Sequence, residues 1–327
     1  MRKLIFVLMI SLCALSSSLF ATEATLRPIT HEDVWLMKRL GTPVVSPDGQ
    51  HAIVSVTQPS YEEDGDSSDL WLIDISGAVA PRQLTATSKG ESGTAWSPDG
   101  SRIAFTTQRE DDEASQVYIL DMSGPGEAVA ITALSTGAKN PVWNPDGTRI
   151  AFESRVFPGA LDDEANQAEK KAREEKGTNV SVYEMFPIRQ WDRWRDDRQT
   201  HLFVQDATPN ATAVNLVAGS PLVAERGFAG TSTSSGDTLS AAWAPDGKSL
   251  VFNATVNLDE AAYARVNYQL YQVPADGGDV EQITAGSDWS CSSPEFSGDG
   301  KALYCSIREL NGEVYNLPEI GRFEWSS

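Results

Sequence analysis

One stretch of the sequence, residues 155–200, combines the side chains that a peptide-binding site uses. A carboxylate can pair with a free amino terminus, a guanidinium with a carboxylate or carbonyl oxygen, and an indole ring with an apolar side chain. Loops that interrupt a regular scaffold also commonly carry binding residues. The candidate substrate-binding residues are Glu184, Arg189, Trp191, Asp192 and Trp194.

A structural interpretation of the same residues stays open at the level of the sequence. Trp191 and Trp194 would then anchor the stretch onto neighbouring strands, because large aromatic rings are effective packing groups. Arg189 would pair with Asp192 or Asp196.

The chain lacks the residues for hydrolysis by a serine nucleophile. No Gly-x-Ser-x-Gly segment, the turn that exposes such a serine, occurs in the 327 residues, and only three histidines are present. His31 lies in a predicted helix, His51 follows a predicted turn and His201 begins a predicted strand, all typical positions of structural histidines. We predict no catalytic residue and no peptidase turnover by this chain alone.

Two cysteines, Cys291 and Cys305, flank a predicted turn at residues 297–300. In an oxidising compartment a disulfide between them across antiparallel strands is possible; the alternative is two unpaired, half-buried thiols. The acidic segment 62–66 lacks the ligand spacing of a calcium loop, and two cysteines without histidines are a poor zinc site. We therefore predict no metal and no cofactor.

The elements that must position the candidate residues form a repeat. Five segments carry Asp-Gly after Pro or Gly, and an apolar strand follows each of them. Pro presets the backbone for a turn and Gly supplies a positive φ, so the segment is typical of a tight hairpin turn. This requirement of the turn explains the repeated aspartate better than a metal array does. The five aspartates are Asp48, Asp99, Asp146, Asp246 and Asp299.

The spacing of the repeat predicts the fold. The five aspartates are 51, 47, 100 and 53 residues apart, and further strand patterns recur inside each unit, giving four strands per unit. Four-stranded units of about 40–50 residues are the blades of a β-propeller. The recurring tryptophans before the turn, Trp96, Trp143 and Trp243, are interpreted as inter-blade packing. We predict an all-β chain of about five blades.

The long interval of 100 residues indicates an insertion in the third blade. It covers residues 155–200, and a second, Gly/Ser/Thr-rich insertion follows at 219–237. Residues 162–176 are rich in Glu, Ala and Lys and predict an exposed helix, with a solvated charged arm as the alternative. The fifth blade is expected to be incomplete, with its third strand at residues 314–317.

The amino terminus predicts export. Arg2 and Lys3 precede an apolar run and then small residues, the pattern of a secretory signal peptide over residues 1–21. Residues 22–43 form a lead-in with a capped helix that begins after Thr30 and ends at Gly41, and the propeller follows over residues 44–327. We expect an exported protein, periplasmic or secreted, with no membrane attachment after cleavage.

The charge of the chain excludes several kinds of partner. Lys and Arg total 26 against 46 Asp and Glu, a formal net charge of −20. Such a chain repels nucleic acids and anionic lipid surfaces. Neither is therefore expected as a partner, and the oligomeric state stays open.

Two segments together carry a family resemblance. They are the helix with the following blade, residues 29–49, and the insertion motif Ile188-Arg189-Gln190-Trp191-Asp192-Arg193-Trp194. With the Ser-Pro-Asp-Gly blades, they resemble the propeller domain of exported prolyl oligopeptidase-family serine peptidases, specifically the dipeptidyl aminopeptidase/acylaminoacyl peptidase group. The resemblance spans nearly all of residues 26–327.

The resemblance implies a function that this chain performs only in part. In that family a seven- or eight-bladed propeller caps a C-terminal α/β-hydrolase domain and limits access to short peptides. Because the nucleophile segment is absent, we expect an N-terminal fragment that gates and binds peptide substrates of a longer enzyme. The alternative is a non-catalytic periplasmic propeller that acts as a protein-interaction platform, similar to the propeller of the Tol system.

Overall fold

The computed structural model describes residues 27–62, 65–109, 111–177, 180, 182–183, 186–233, 236–285, 288–311 and 316–326. The predicted signal peptide at residues 1–21, the candidate residue Glu184 and part of the acidic segment 62–66 lie outside these residues. The chain divides into two compact units, Met1–Met37 and Lys38–Ser327.

The first unit contains a short helix, α1 (His31–Trp35). Thr30 and Asp33 form a reciprocal capping box at its start, and the Arg27 guanidinium bonds the Asp33 carboxylate, with Nη2 2.6 Å from Oδ1. These hydrogen bonds hold the pKa of Asp33 well below its usual range. The helix ends at Trp35, well before the predicted end at Gly41.

That difference has a tertiary cause. Arg39 and Leu40 are extended and pair with Thr57 and Val56, so the sheet takes the residues that the pattern assigned to the last helical turn. The predicted helix was therefore too long.

The second unit consists of consecutive antiparallel sheets whose strands neighbour one another in chain order. The strands of the first sheet are β1 (Arg39–Leu40), β2 (Val44–Val45), β3 (His51–Gln58), β4 (Ser67–Asp74) and β5 (Arg82–Gln83). Those of the second are β6 (Ser92–Trp96), β7 (Arg102–Thr107), β8 (Gln116–Asp121) and β9 (Val129–Ala130).

The remaining sheets follow the same plan. The third contains β10 (Lys139–Trp143), β11 (Arg149–Val156), β14 (Gln199–Asp206) and β15 (Val214–Asn215). The fourth contains β18 (Ala242–Trp243), β19 (Ser249–Ala254), β20 (Gln269–Pro274) and β21 (Glu281–Gln282). The fifth contains β22 (Trp289–Phe296), β23 (Ala302–Glu309) and β24 (Glu319–Glu324). The all-β propeller class predicted from the repeat is confirmed.

The third strand of the last blade was placed too early by the sequence pattern. Val314 and Tyr315 lie outside the described residues, and Leu317 precedes the strand. The strand that pairs with β23 is β24, with Ala302 opposite Glu324 and Ile307 opposite Glu319. Its position is set by this register rather than by local apolar content.

Each blade turn is held by its aspartate. A carboxylate oxygen accepts a hydrogen bond from the backbone N–H two residues later, as at Asp99, where the distance to Ser101 N is 3.1 Å. Ser97 Oγ and the Ser101 hydroxyl also donate to this carboxylate, which lowers the pKa of Asp99 to about 2. The glycine that follows has φ near 70° in all five turns, at Gly49, Gly100, Gly147, Gly247 and Gly300.

The core lies along the second strands and between neighbouring blades. Phe105, Phe152 and Phe252 occupy equivalent positions and are fully buried. A tryptophan precedes three of the five turns, and each of the three donates its indole N–H to a backbone carbonyl of the preceding blade. These bonds are Trp96 Nε1 to Val44 O at 3.0 Å, Trp143 Nε1 to Ala95 O at 3.2 Å and Trp243 Nε1 to Val142 O at 3.0 Å. This is the inter-blade packing that the repeat predicts.

Two insertions interrupt the regular repeat, one inside the third blade and one between the third and fourth blades. The first lies between Val156 and Gln199, which pair with each other, so residues 155, 156, 199 and 200 belong to strands and the predicted insertion was slightly too wide. It contains α2 (Asp163–Glu175), capped by Asp162, and the hairpin β12 (Arg189–Gln190) and β13 (Arg193–Trp194). The second contains α3 (Pro221–Ala224) and the hairpin β16 (Thr231–Thr233) and β17 (Gly236–Thr238).

Within the part of the chain that the structure describes, no helix has the length and apolar content that crossing a bilayer requires.

Candidate functional site

The candidate residues of the first insertion meet in the hairpin β12–β13, which we call the tryptophan hairpin. Arg189 pairs with Trp194 and Gln190 with Arg193, and Trp191 and Asp192 form the two-residue connection. Tight hairpin connections require a positive φ, which favours glycine or asparagine. Trp191 nevertheless has φ of 54°. A bulky residue in this region is strained, and such strain is concentrated at functional sites.

The two tryptophans of this hairpin face solvent. The exposed fraction is 91% for Trp191 and 66% for Trp194. A contiguous exposed apolar patch, unlike a single exposed ring, is typical of a surface that contacts a partner or a ligand, and these two rings lie in one short hairpin. This exposure does not fit the packing interpretation, in which both rings would anchor the insertion on neighbouring strands.

Arg189 belongs to the same exposed group. Its guanidinium carbon lies 5.9 Å from the centre of the Trp194 ring, and the Tyr183 ring lies 6.0 Å from the same indole. Asp196, one of the two acids considered as a partner for Arg189, is instead paired with Arg155 and Arg198. The Arg189 guanidinium thus packs on an aromatic face. Its N–H groups lie in the plane of the guanidinium and can still donate to a carbonyl or carboxylate.

A buried ion pair connects the tryptophan hairpin to the second insertion. Arg195 Nη2 lies 2.7 Å from Asp237 Oδ2, and the side chains are 17% and 10% exposed. The backbone N–H of Arg195 donates to Ile188 O at 3.1 Å, and Gln190 Nε2 donates to Thr233 O at 3.0 Å. Both insertions therefore hold the hairpin in place.

The backbone of Asp237 accepts hydrogen bonds from two side chains of the third blade. Lys139 Nζ donates to the Asp237 carbonyl at 3.0 Å, and Thr200 Oγ1 donates to the same oxygen at 3.2 Å. Burial lowers the pKa of the Lys139 ammonium, while the nearby Glu153 and Asp237 carboxylates oppose that shift. The anchor of the hairpin is thus part of the rigid propeller.

A cavity of about 390 Å³ lies between the tryptophan hairpin and β17. This size is within the usual range for small-ligand sites. Its walls combine the two indoles with three arginines and three aspartates. The lining residues that supply these groups are Trp191, Trp194, Arg155, Arg193, Arg195, Asp192, Asp196 and Asp237.

The structure brings most of the predicted site residues together. Trp191, Asp192 and Trp194 line the cavity, and Arg189 lies beside it against Trp194. Glu184 is outside the described residues. Sequence reasoning missed Gln190 and Asp237 as members of the site. Asp237 closes the second predicted insertion, so the adjacency of two insertions in one blade region was the available signal.

The remaining chemically interesting residues lie elsewhere. His201 is buried, its Nδ1 is 3.0 Å from Asn215 Nδ2, and burial lowers its pKa to about 4. Cys291 and Cys305 are buried free thiols on neighbouring strands, with sulfur atoms 2.7 Å apart. The five turn aspartates bond their own turns, as described above.

Comparisons with known proteins place the fold. The model of the TolB β-propeller domain matches residues 34–167. Dipeptidyl-peptidase 5 of Porphyromonas gingivalis is 26% identical over 301 residues, which cover 89% of this chain and 40% of the relative. The chain thus spans less than half the length of this curated relative.

Solved structures agree on the fold. The acylaminoacyl peptidase of Pyrococcus horikoshii, in its orthorhombic crystal form, has a TM-score of 0.54 at 14% identity, covering 89% of this chain and 41% of that one. The uncomplexed form of the same enzyme has a TM-score of 0.52 at 16% identity, covering 87% and 40%. The chain is a β-propeller that is similar to the TolB β-propeller domain over residues 34–167 and, over most of its length, to part of a dipeptidyl-peptidase, and it shares its fold with part of an acylaminoacyl peptidase.

Proposed function

We propose that this chain binds short peptides at the tryptophan hairpin and gates their access to a serine peptidase active site that lies outside residues 1–327. The observation that carries the proposal is the exposed, strained Trp191 beside Trp194 and Arg189, on an anchor that reaches the propeller body. The sequence relation to a dipeptidyl-peptidase supports peptides as the ligand class.

The chemistry of the hairpin suits a peptide in three respects. Indole faces pack against apolar side chains and attract a terminal ammonium. Asp192, at the tip, supplies a carboxylate for the same ammonium, and Arg189 supplies donors for a backbone carbonyl or terminal carboxylate. The equal number of arginines and aspartates around the cavity fits a zwitterionic ligand better than one of high net charge.

The proposed setting is an exported peptidase. Gating follows if the propeller covers the active site and the hairpin selects what enters, and the predicted signal peptide at residues 1–21 would direct the protein out of the cytoplasm. In this setting the chain supplies binding and positioning, and a hydrolase domain outside residues 1–327 supplies the nucleophile and its base.

The test is a calorimetric titration of the chain with unblocked tri- and tetrapeptides. We expect saturable binding that weakens at least fivefold in Trp191→Ala, because removal of an aromatic anchor costs about 1–3 kcal/mol of binding free energy. Tyr263→Ala is the control, since Tyr263 is 81% exposed and does not line the cavity. Equal affinity of Trp191→Ala and the unsubstituted chain would contradict the proposal.

A second function is favoured by the TolB-domain match, which covers residues 34–167 and excludes the tryptophan hairpin. On that reading the propeller is a platform for a folded protein partner. It predicts no peptide binding and a partner whose affinity is the same for Trp191→Ala and the unsubstituted chain. The titration therefore separates the two functions.

A further inference from the structure

A second and larger cavity, of about 1090 Å³, lies beside the first insertion. Helix α2, the segment 195–201 and helix α3 contribute to its walls. Arg195, Asp196 and Asp237 line both this cavity and the smaller one under the tryptophan hairpin, so the two cavities are adjacent. We call the larger one the His201 cavity.

Two buried polar atoms in its lining have no hydrogen-bond partner among the described residues, His201 Nε2 and Ser220 Oγ. His201 is only 3% exposed. Buried polar groups nearly always have a partner, so each exception calls for an explanation such as a missing ligand or ordered water. That two of them line one cavity points to a ligand site.

The hydrogen bond at Nδ1 of the His201 ring determines whether Nε2 is a donor or an acceptor. Asn215 Nδ2 is a donor only and lies 3.0 Å from His201 Nδ1, so Nδ1 accepts. A neutral imidazole that accepts at Nδ1 carries its proton at Nε2. The unpartnered atom is therefore an N–H donor, and its complement is an oxygen acceptor such as a carbonyl.

Apolar side chains form part of the wall of this cavity. The His201 ring contacts the Phe228 ring edge-on, with ring centres 6.3 Å apart, and Phe228 and Ala229 are each 5% exposed. Val223 and Leu161 line the same cavity. An apolar group placed here leaves water and gains contacts without displacing a charge.

The charged residues of the cavity largely neutralise one another. Arg173 makes two hydrogen bonds of 2.8 Å to Asp197, Arg198 pairs with Asp196 at 2.7 Å, and Arg195 pairs with Asp237 at 2.7 Å. A ligand of high net charge would have to break one of these pairs. The lining thus favours a neutral ligand.

We propose that the His201 cavity binds a neutral amide with a branched apolar group, whose carbonyl oxygen accepts the hydrogen bond of His201 Nε2. The apolar group packs against Phe228, Ala229 and Val223. The site is separate from the tryptophan hairpin and does not depend on the function proposed for it.

The experiment is a nuclear magnetic resonance titration of the chain, labelled with ¹⁵N in its histidine rings, with N-acetyl-leucinamide. The His201 signals are assigned by their loss in His201→Phe. We expect a saturable shift of the Nε2 signal, and at least fivefold weaker binding of N-acetyl-glycinamide, which keeps the carbonyls and lacks the apolar group. Absence of a saturable shift at His201 would overturn the proposal.

Two further variants show whether the amide binds in the His201 cavity or at the tryptophan hairpin, and neither removes the His201 ring. Val223→Phe adds bulk to the apolar wall of the cavity and keeps the backbone carbonyl that accepts from Gln199, and it should weaken N-acetyl-leucinamide binding at least fivefold. Trp191→Ala should leave this binding unchanged. If Trp191→Ala weakens it and Val223→Phe does not, the amide binds at the hairpin and the His201 site is refuted, whereas the function proposed for the hairpin stands.

Discussion

The ion pair between Arg195 and Asp237 should stabilise the chain far more than an ordinary surface pair. It joins the two insertions and lines both cavities. We predict that Asp237→Asn lowers the free energy of unfolding by about 2–3 kcal/mol, because the Arg195 charge is then left without its carboxylate in a largely dry environment.

The magnitude follows from the exposure of the two side chains. Breaking a fully buried pair costs about 3–5 kcal/mol, whereas exposed pairs contribute about 0–1 kcal/mol. At 17% and 10% exposure the Arg195–Asp237 pair is close to the buried limit. In Asp237→Asn the Arg195 guanidinium keeps some contact with solvent and a long hydrogen bond of 3.4 Å to Gln190. The expected loss of unfolding free energy is therefore about 2–3 kcal/mol, below most of the range for a fully buried pair.

The assay is a double-mutant cycle of Arg195→Met and Asp237→Asn, measured by urea unfolding. We expect a coupling free energy of about 2 kcal/mol. The matched control is the exposed pair Arg322–Glu324, with side chains 50% and 77% exposed, for which the cycle should give less than about 0.5 kcal/mol. A coupling as small for Arg195–Asp237 as for the control would refute the role of this pair as the anchor.

Three further predictions concern the fold. Trp243→Phe removes the inter-blade bond to Val142 O and should lower the free energy of unfolding by about 1–2 kcal/mol, while Trp289→Phe, at a ring 45% exposed, should have no measurable effect in the same urea titration. Incubation with oxidised glutathione should join Cys291 and Cys305, with loss of two hydrogen atoms by mass spectrometry and a gain of about 2–3 kcal/mol in stability that Cys305→Ser abolishes; an unchanged mass would contradict this prediction. The pKa of His201 is about 4 in the folded chain and the ordinary 6.5 in the unfolded chain. Between pH 6.5 and pH 4 the unfolded chain therefore binds a proton at this residue that the folded chain does not bind. As the pH falls from 6.5 toward 4, the free energy of unfolding should therefore decrease by up to about 1.4 kcal/mol per pH unit because of His201. The same dependence of unfolding free energy on pH in His201→Phe would contradict this assignment.

The repeat made most of the fold predictable. A Pro-Asp-Gly turn is a local signal, since Pro and Gly restrict the backbone directly, and the tryptophan before it identifies equivalent inner strands. The helix α2 was predictable for the same reason, because its composition and the capping Asp162 are local.

The errors came where a distant strand decides the conformation. Arg39 and Leu40 follow a helical pattern but pair with β3, and β24 takes its position from β23 although residues 314–317 are more apolar. Pairing across many residues is absent from any local window. Such elements were beyond prediction from the sequence alone.

The grouping of the candidate residues was predictable, but the support of their hairpin was not. Aromatic and charged residue types in an insertion suggested Glu184, Arg189, Trp191, Asp192 and Trp194, and three of these line one cavity. The anchor Asp237 comes from the other insertion, and its partner Arg195 is 42 residues away along the chain. Only the packing of the two insertions reveals that contact.

The most direct test of the central claim is to locate a bound peptide. A tetrapeptide with a photoreactive benzophenone side chain is irradiated with the chain, and the cross-linked residues are identified by mass spectrometry. Peptide binding at the tryptophan hairpin predicts cross-links within residues 189–194, which an excess of the unlabelled peptide suppresses. Suppressible cross-links confined to other surfaces, with none in residues 189–194, would contradict it.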